Sequence, residues 1–249
     1  LLRLGVGQLL LIDKDVVEVT NLNRIHGARR RDVGAPKVEV LARIVREADL
    51  GVNVAPLRAW AGAPEARDPL KACDVIFGCT DDHDGRSLLS RLAYFYGISL
   101  IDVGLCMVPA QGAIPYSITA RLSVVTPGAA CLLCRNVIDP ARAREEHLER
   151  TDPEQFRRLK AEAYVQGGGD PAPAVVTFTT EAAAMAVNEL LQALTGFRGA
   201  EGMVRGRFRR MEVPDERTVS IRPRAGCQVC DVTDFWGRGD VEPFLYRMG

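Results

Sequence analysis

The sequence predicts an α/β protein: a Rossmann-like mixed sheet with a parallel N-terminal half and an antiparallel C-terminal extension. Three observations carry that expectation. Short apolar runs alternate with amphipathic helical segments in the first half, as in βαβ units. Beyond residue 112 strand-like stretches follow one another without intervening helices. Two Cys-x-x-Cys pairs then tie the later part of the chain together. The 249 residues suffice for one large domain, and 47% apolar with 26% charged residues is an ordinary globular balance. Lys+Arg and Asp+Glu both number 32, which argues against nucleic-acid binding through a bulk positive field. No uncharged apolar run approaches the ~18 residues that span a bilayer. The best candidate, Ala174 to Phe197, is broken by Glu181, Asn188 and Glu189.

Leu1 to Gly5 reads as the last turn of a helix ended by glycine, so an upstream segment is expected. Leu9 to Ile12 is a continuous apolar run ending in Asp13, suited to a strand covered on both faces. A helix is expected from Pro36 to Ala48, with Pro36 at its first position. Its apolar face would hold Val38, Leu41, Ile44, Val45 and Ala48. Val52 to Leu57 and Asp74 to Phe77 read as the next strands. The latter leads into Gly78-Cys79-Thr80-Asp81. A helix from Arg86 to Gly97 precedes a fourth strand, Ile98 to Ile101, ending at Asp102. Gly112 to Val125 suggests antiparallel pairing. Residues 135–174 read as a long, partly mobile crossover with a short helix near Glu154 to Tyr164. Val175 to Leu194 is an Ala-rich helix expected to be buried. Arg205 to Arg222 looks like a terminal hairpin around Pro214-Asp215.

Chemistry gathers at the strand ends. Asp13, Asp81 and Asp102 each follow an apolar strand, where ligands of open α/β sheets bind. A single acid there could be only a turn former, but three together favour a site. Asp13 can accept hydrogen bonds from ribose hydroxyls. Asn21 and Arg24 follow in a loop over the same edge, and the guanidinium fork suits phosphate oxygens. Lys37 stands in the first turn of a helix, where the macrodipole disfavours a cation. A bound phosphate would explain it. Asp81 is placed to ligate Mg²⁺ beside substrate phosphates. The inventory fits ATP chemistry better than hydride transfer by a nicotinamide dehydrogenase.

Of seven cysteines, Cys131, Cys134, Cys227 and Cys230 form the two pairs. In a chain without a secretory segment this spacing reads as a closed, structural Cys₄ zinc site in a reducing, cytoplasmic setting. Cys73, Cys79 and Cys106 stand alone, and Cys79 reads as a small buried residue. His26, His83 and His147 form no metal or triad spacing.

With these residues in hand, the chain resembles the ThiF/MoeB/HesA family, relatives of ubiquitin-activating enzymes. The matching stretches are Leu11-Ile-Asp-Lys-Asp15, Asn21-Leu-Asn-Arg24, Gly34-Ala-Pro-Lys37, Cys79-Thr-Asp81 and both Cys-x-x-Cys pairs. The resemblance implies one adenylation domain over residues 1–249 that activates the C-terminal glycine of a ubiquitin-like or sulfur-carrier protein with MgATP. It implies that Asp13 holds the ribose. Asn21, Arg24 and Lys37 contact the triphosphate, and Asp81 coordinates Mg²⁺, so that Arg24, Lys37 and Asp81 are catalytic. It further implies a homodimer, a crossover (135–174) over the incoming tail, and a conjugating enzyme or sulfur donor as a further partner. The family's Gly-rich nucleotide loop would precede Leu1, and the crossover carries no cysteine for a thioester. Two other readings stand beside this one: a non-catalytic scaffold subunit, or adenylation of another acid such as a peptide or a modified tRNA base.

Overall fold

A computed structural model describes residues 1–109, 116–161, 175–231 and 236–239. A 3₁₀ turn, Leu2–Leu4, is closed by Gly5 in the left-handed conformation (φ 78°). The strands and helices that follow are β1 (Gln8–Ile12), α1 (Lys37–Glu47), β2 (Asn53–Leu57), α2 (Arg67–Lys71), β3 (Val75–Gly78), α3 (His83–Tyr96), β4 (Ser99–Pro109) and β5 (Tyr116–Val125). Then come α4 (Pro140–Thr151), α5 (Pro153–Ala161), α6 (Val176–Thr195), β6 (Gly206–Arg210) and β7 (Asp215–Thr218). Among the described residues no helix is long and apolar enough to cross a membrane.

The mixed parallel and antiparallel character matches the sequence, but the strands form two hydrogen-bonded sheets instead of one. β1 and β2 pair in parallel from Gln8–Asn53 to Ile12–Leu57. β3 and β4 pair in parallel, and β4-β5-β6-β7 continue antiparallel in order. No described strand bridges β1 and β3, so each ends its sheet as an edge.

Two apolar clusters sandwich the larger sheet. On one side α3 packs Leu88, Leu92 and Phe95 against Ile76, Leu100 and Val125. On the other, Ala182, Met185 and Ala186 of α6 pack on Ile101, Ala120, Leu122 and Val124. The alternation along β4 and β5 therefore separates two faces.

Several expectations are corrected. β4 does not stop at Ile101: the alternation continues through Val103 and Leu105, and pairing with β5 extends it to Pro109. Asp102 thus lies inside a strand, 1% exposed, instead of capping its end. α6 buries one stripe only, since Leu194 is 73% exposed. In α1, Val38, Val40 and Ala42 are buried while Leu41 faces outward, and Pro36 caps the helix instead of opening it. The short helix expected near Glu154 is present as α5, but the described start of the crossover also holds a second, unexpected helix, α4. Asp139 caps α4 by accepting from the amides of Ala141 and Arg142. Tyr164, the three glycines 167–169 and residues 112–115 lie outside the described residues. The hairpin at Pro214-Asp215 is present, with Arg210 opposite Asp215.

Candidate functional site

The tip of β1 and the first turn of α1 meet. The backbone carbonyl of Asp15 accepts from the Lys37 amide (3.0 Å), and an isolated bridge joins Val16 to Pro36. This folds the loop after β1 back over the helix start. Lys37 Nζ lies 3.0 Å from Asp15 Oδ2 and 4.0 Å from Asp13 Oδ2. Asp13 Oδ1 accepts the Asp15 amide at 2.8 Å. The cation that sits against the macrodipole is thus held by two carboxylates of its own chain. Asp15 was not singled out in the sequence, although its i+2 spacing from Asp13 across a turn is a readable signal.

Asn21 is 5% exposed, and its side chain engages the backbone of Glu18 in a reciprocal cap around the turn Val19–Asn21. Arg24 Nη1 donates to the Thr20 carbonyl (2.8 Å) and to Asn23 Oδ1 (3.3 Å). The structure therefore gathers Asp13 and Lys37 directly. It places Asn21 as the frame of the loop and Arg24 on that loop, half-buried.

Asp81 follows β3 and is exposed. Its neighbour Asp82 caps α3, accepting the Gly85 amide at 2.7 Å. A Cβ at Gly85 would lie 2.6 Å from the Asp82 carboxylate, so a larger residue there would push the capping side chain aside. Cys79, expected to be buried, is exposed as a residue. Desolvation of its sulfur and the nearby Asp102 carboxylate push the thiol up to about 11, so it is no activated nucleophile.

Behind this tip lies a cluster that sequence reading missed. Asp102 Oδ1 is 3.4 Å from Arg86 Nε, and Asp102 Oδ2 is 3.1 Å from Arg121 Nη2. Burial raises the Asp102 carboxyl from its ordinary value, and the two guanidiniums oppose that rise. Arg86 also offers Nη1 to the Asp81 carbonyl at 3.4 Å. A cation in the first turn of a helix was the clue used for Lys37, and Arg86 carries the same clue. Arg121 carried none, since only the register Gly104–Arg121 brings it there.

α4 packs beside the start of α3. Arg150 pairs with Asp84, stacks 3.5 Å from the Trp60 ring centre and contacts His147. Glu146 accepts the Asp84 amide (2.9 Å), and His83 Nδ1 accepts that of Asp139 (3.0 Å). A cavity of about 370 Å³ lies there between Trp60, Pro64, Arg67, His147 and Arg150.

The four pair cysteines converge from segments far apart in sequence. All are buried, and their sulfurs lie within 4.8 Å of one another. Cys131 and Cys227 are 3.6 Å apart, Cys134 and Cys230 3.4 Å. These separations lie near the ~3.8 Å edge of a tetrahedron of sulfurs bound at ~2.3 Å to one ion. The donor set can hold such a metal with no position left for water.

The family model described as the ThiF family matches residues 1–231. The SAMP-activating enzyme E1 of Haloferax volcanii is 32% identical over 134 residues, 54% of this chain and 46% of that protein. The adenylyltransferase and sulfurtransferase uba4 of Aspergillus clavatus is 34% identical over 107 residues, 43% of this chain and 22% of that one. The chain thus spans less than half the length of these relatives. Among solved structures, E. coli MccB with ATP superposes with a TM-score of 0.66 at 17% identity, covering 91% of this chain and 60% of that one. MccB with MccA-N7isoASN gives 0.66 at 16%, covering 91% and 61%. At that identity the likeness concerns the fold. With the family model spanning nearly all of the chain, the protein belongs to the ThiF family.

Proposed function

We propose that this chain is the nucleotide-binding, acid-activating part of an ATP-dependent adenylyltransferase. Its substrate would be the C-terminal carboxylate of a ubiquitin-like or sulfur-carrier protein. The observation that carries the reading is the meeting of Asp13, Asp15 and Lys37 at the β1 tip, beside the Asn21–Arg24 loop, in a chain of this family. Two relatives with matching segments bear the names of a SAMP-activating enzyme and of an adenylyltransferase, which supports it.

In this reading Asp13 accepts the ribose hydroxyls. Lys37 exchanges its carboxylate partners for phosphate oxygens, which a helix start favours. Arg24 swings from the Thr20 carbonyl to add a planar fork, while Asn21 keeps the loop in shape. Asp81 would hold Mg²⁺, which neutralises phosphate charge when bound. A carboxylate oxygen of the acid bonds to the α-phosphorus. The bond from that phosphorus to its bridging oxygen breaks, and pyrophosphate leaves with the electron pair. These residues contribute position and charge compensation. The four cysteines would hold a structural Zn²⁺ and pin residues 131–134 to residues 227–230.

The test is ATP–pyrophosphate exchange with partner proteins ending in Gly-Gly. Lys37→Ala and Asp81→Ala are each expected to lower exchange by about 100-fold or more, the scale for losing one group that stabilises transition-state charge. Zinc content should stay unchanged. Full exchange in both variants would refute the assigned roles.

A further inference from the structure

The α3-side face of the larger sheet changes character beyond the start of α3. Under the helix it is apolar, with Leu100 opposite Val125. Further along, β4 turns Asp102, Gly104 and Cys106 to this face, opposite Ser123, Arg121 and Thr119 of β5. Arg86 reaches over from the first turn of α3. The opposite face at the same level is sealed by α6.

This cluster holds more cation than its own chain uses. Asp102 is 1% exposed, and the side chains of Arg86 and Arg121 only 11% and 21%. One guanidinium would neutralise one buried carboxylate. Two leave a surplus positive charge in a desolvated place, which is costly without a further anion. Two guanidiniums also offer ten N–H donors against a single carboxylate. The Nε atom of Arg121 is buried without a hydrogen-bond partner among the described residues, while that of Arg86 faces Asp102 Oδ1 at 3.4 Å. Gly104 leaves bare backbone beneath them: a Cβ there would lie 3.1 Å from Arg86 Nη2 and 3.2 Å from Arg121 Nη2. Cys79 and Cys106, on either side, are exposed, so the cluster borders solvent. The same Arg86 fork contacts the Asp81 carbonyl.

We infer that Arg86 and Arg121 together are the receptor for the terminal carboxylate of the acid being activated, seated against their outward N–H groups next to the Asp81 loop. The inference rests on the adenylyltransferase reading. Paired arginines suit it because guanidinium matches carboxylate in a planar, two-bond geometry. Asp102 acts as the placeholder that orders both forks before substrate arrives. The carboxylate is presented ionised beside the phosphate end of the site, so no proton moves before the attack.

An octapeptide ending in Gly-Gly, as the free carboxylate and as the C-terminal amide, tests this by calorimetric titration of the chain. The free carboxylate should bind about ten-fold tighter or better. Arg121→Gln should erase that preference while leaving ATP affinity and the thermal midpoint near those of the unaltered chain. Asp102→Asn removes the internal competitor and should tighten the carboxylate peptide several-fold. A merely structural cluster would give the reverse, with Asp102→Asn lowering the melting point and leaving carboxylate and amide alike. Equal affinities in the unaltered chain, no binding of either peptide, or a preference that survives Arg121→Gln overturns the receptor. ATP binding is titrated separately. Its absence overturns the parent reading, whereas equal peptide affinities beside intact ATP binding overturn only the receptor.

Discussion

The two sheets answer similar sequence with different burial. In the larger sheet Leu100, Leu122 and Val125 are 0% exposed and Val124 is 2% exposed. In the smaller sheet Leu9 to Ile12 form an equally apolar run, yet all four are half-buried, and of β2 only Val54 is buried. The reason is neighbours. β4 has a strand on each side and a helix on each face. β1 has one strand beside it. An apolar run states a capacity for burial, and the assembly decides how much of it is realised. The Lys37 loop lies at the less sealed place. The thiol cluster belongs in the sealed one.

The contrast can be broken in three ways, in order of size. With zinc bound at the four thiols as proposed, stripping it with a chelator, or Cys131→Ser, should have the largest effect, because the ion would pin segments 131–134 to 227–230. Metal-coupled folding energies reach ~10 kcal/mol in small domains. A fall in thermal midpoint well beyond that of any core truncation is expected, and an unchanged melt after zinc loss would remove the cluster from the account of stability. Next, Leu122→Ala should cost about 2–5 kcal/mol by urea unfolding, against roughly 1 kcal/mol for Leu10→Ala. Equal costs would mean that the two sheets are equally sealed. Smallest, Asp82→Ala removes the α3 cap and should cost about 1 kcal/mol. The loss should be local to the start of α3, seen as faster amide exchange at Gly85 with the thiol cluster unaffected.

Much of this was legible in the residues. Asp13 closes an apolar strand and Lys37 opens a helix, and both features are local. The cysteine spacing is local too, and two such pairs suffice to suggest one ion. α4 was missed because its first residues, Pro140-Ala-Arg-Ala, show little apolar periodicity, and a helix held by Arg150, Glu146 and its Asp139 cap needs none. Asp102 was misplaced because an acid after Leu100-Ile101 looks like a strand end unless its two arginines are visible. The capping partner that Glu18 gives the Asn21 side chain is not legible from residue type alone.

By itself the sequence determined most of the element types, the parallel-then-antiparallel order and the family motifs, since each depends on neighbours a few residues away along the chain. Tertiary structure alone decided the division into two sheets, the burial of Asp102 and the meeting of Arg86 with Arg121. Those depend on which strands pair and in what register. Register joins residues that no short-range pattern relates: Gly104 faces Arg121 only because ten paired positions align β4 with β5.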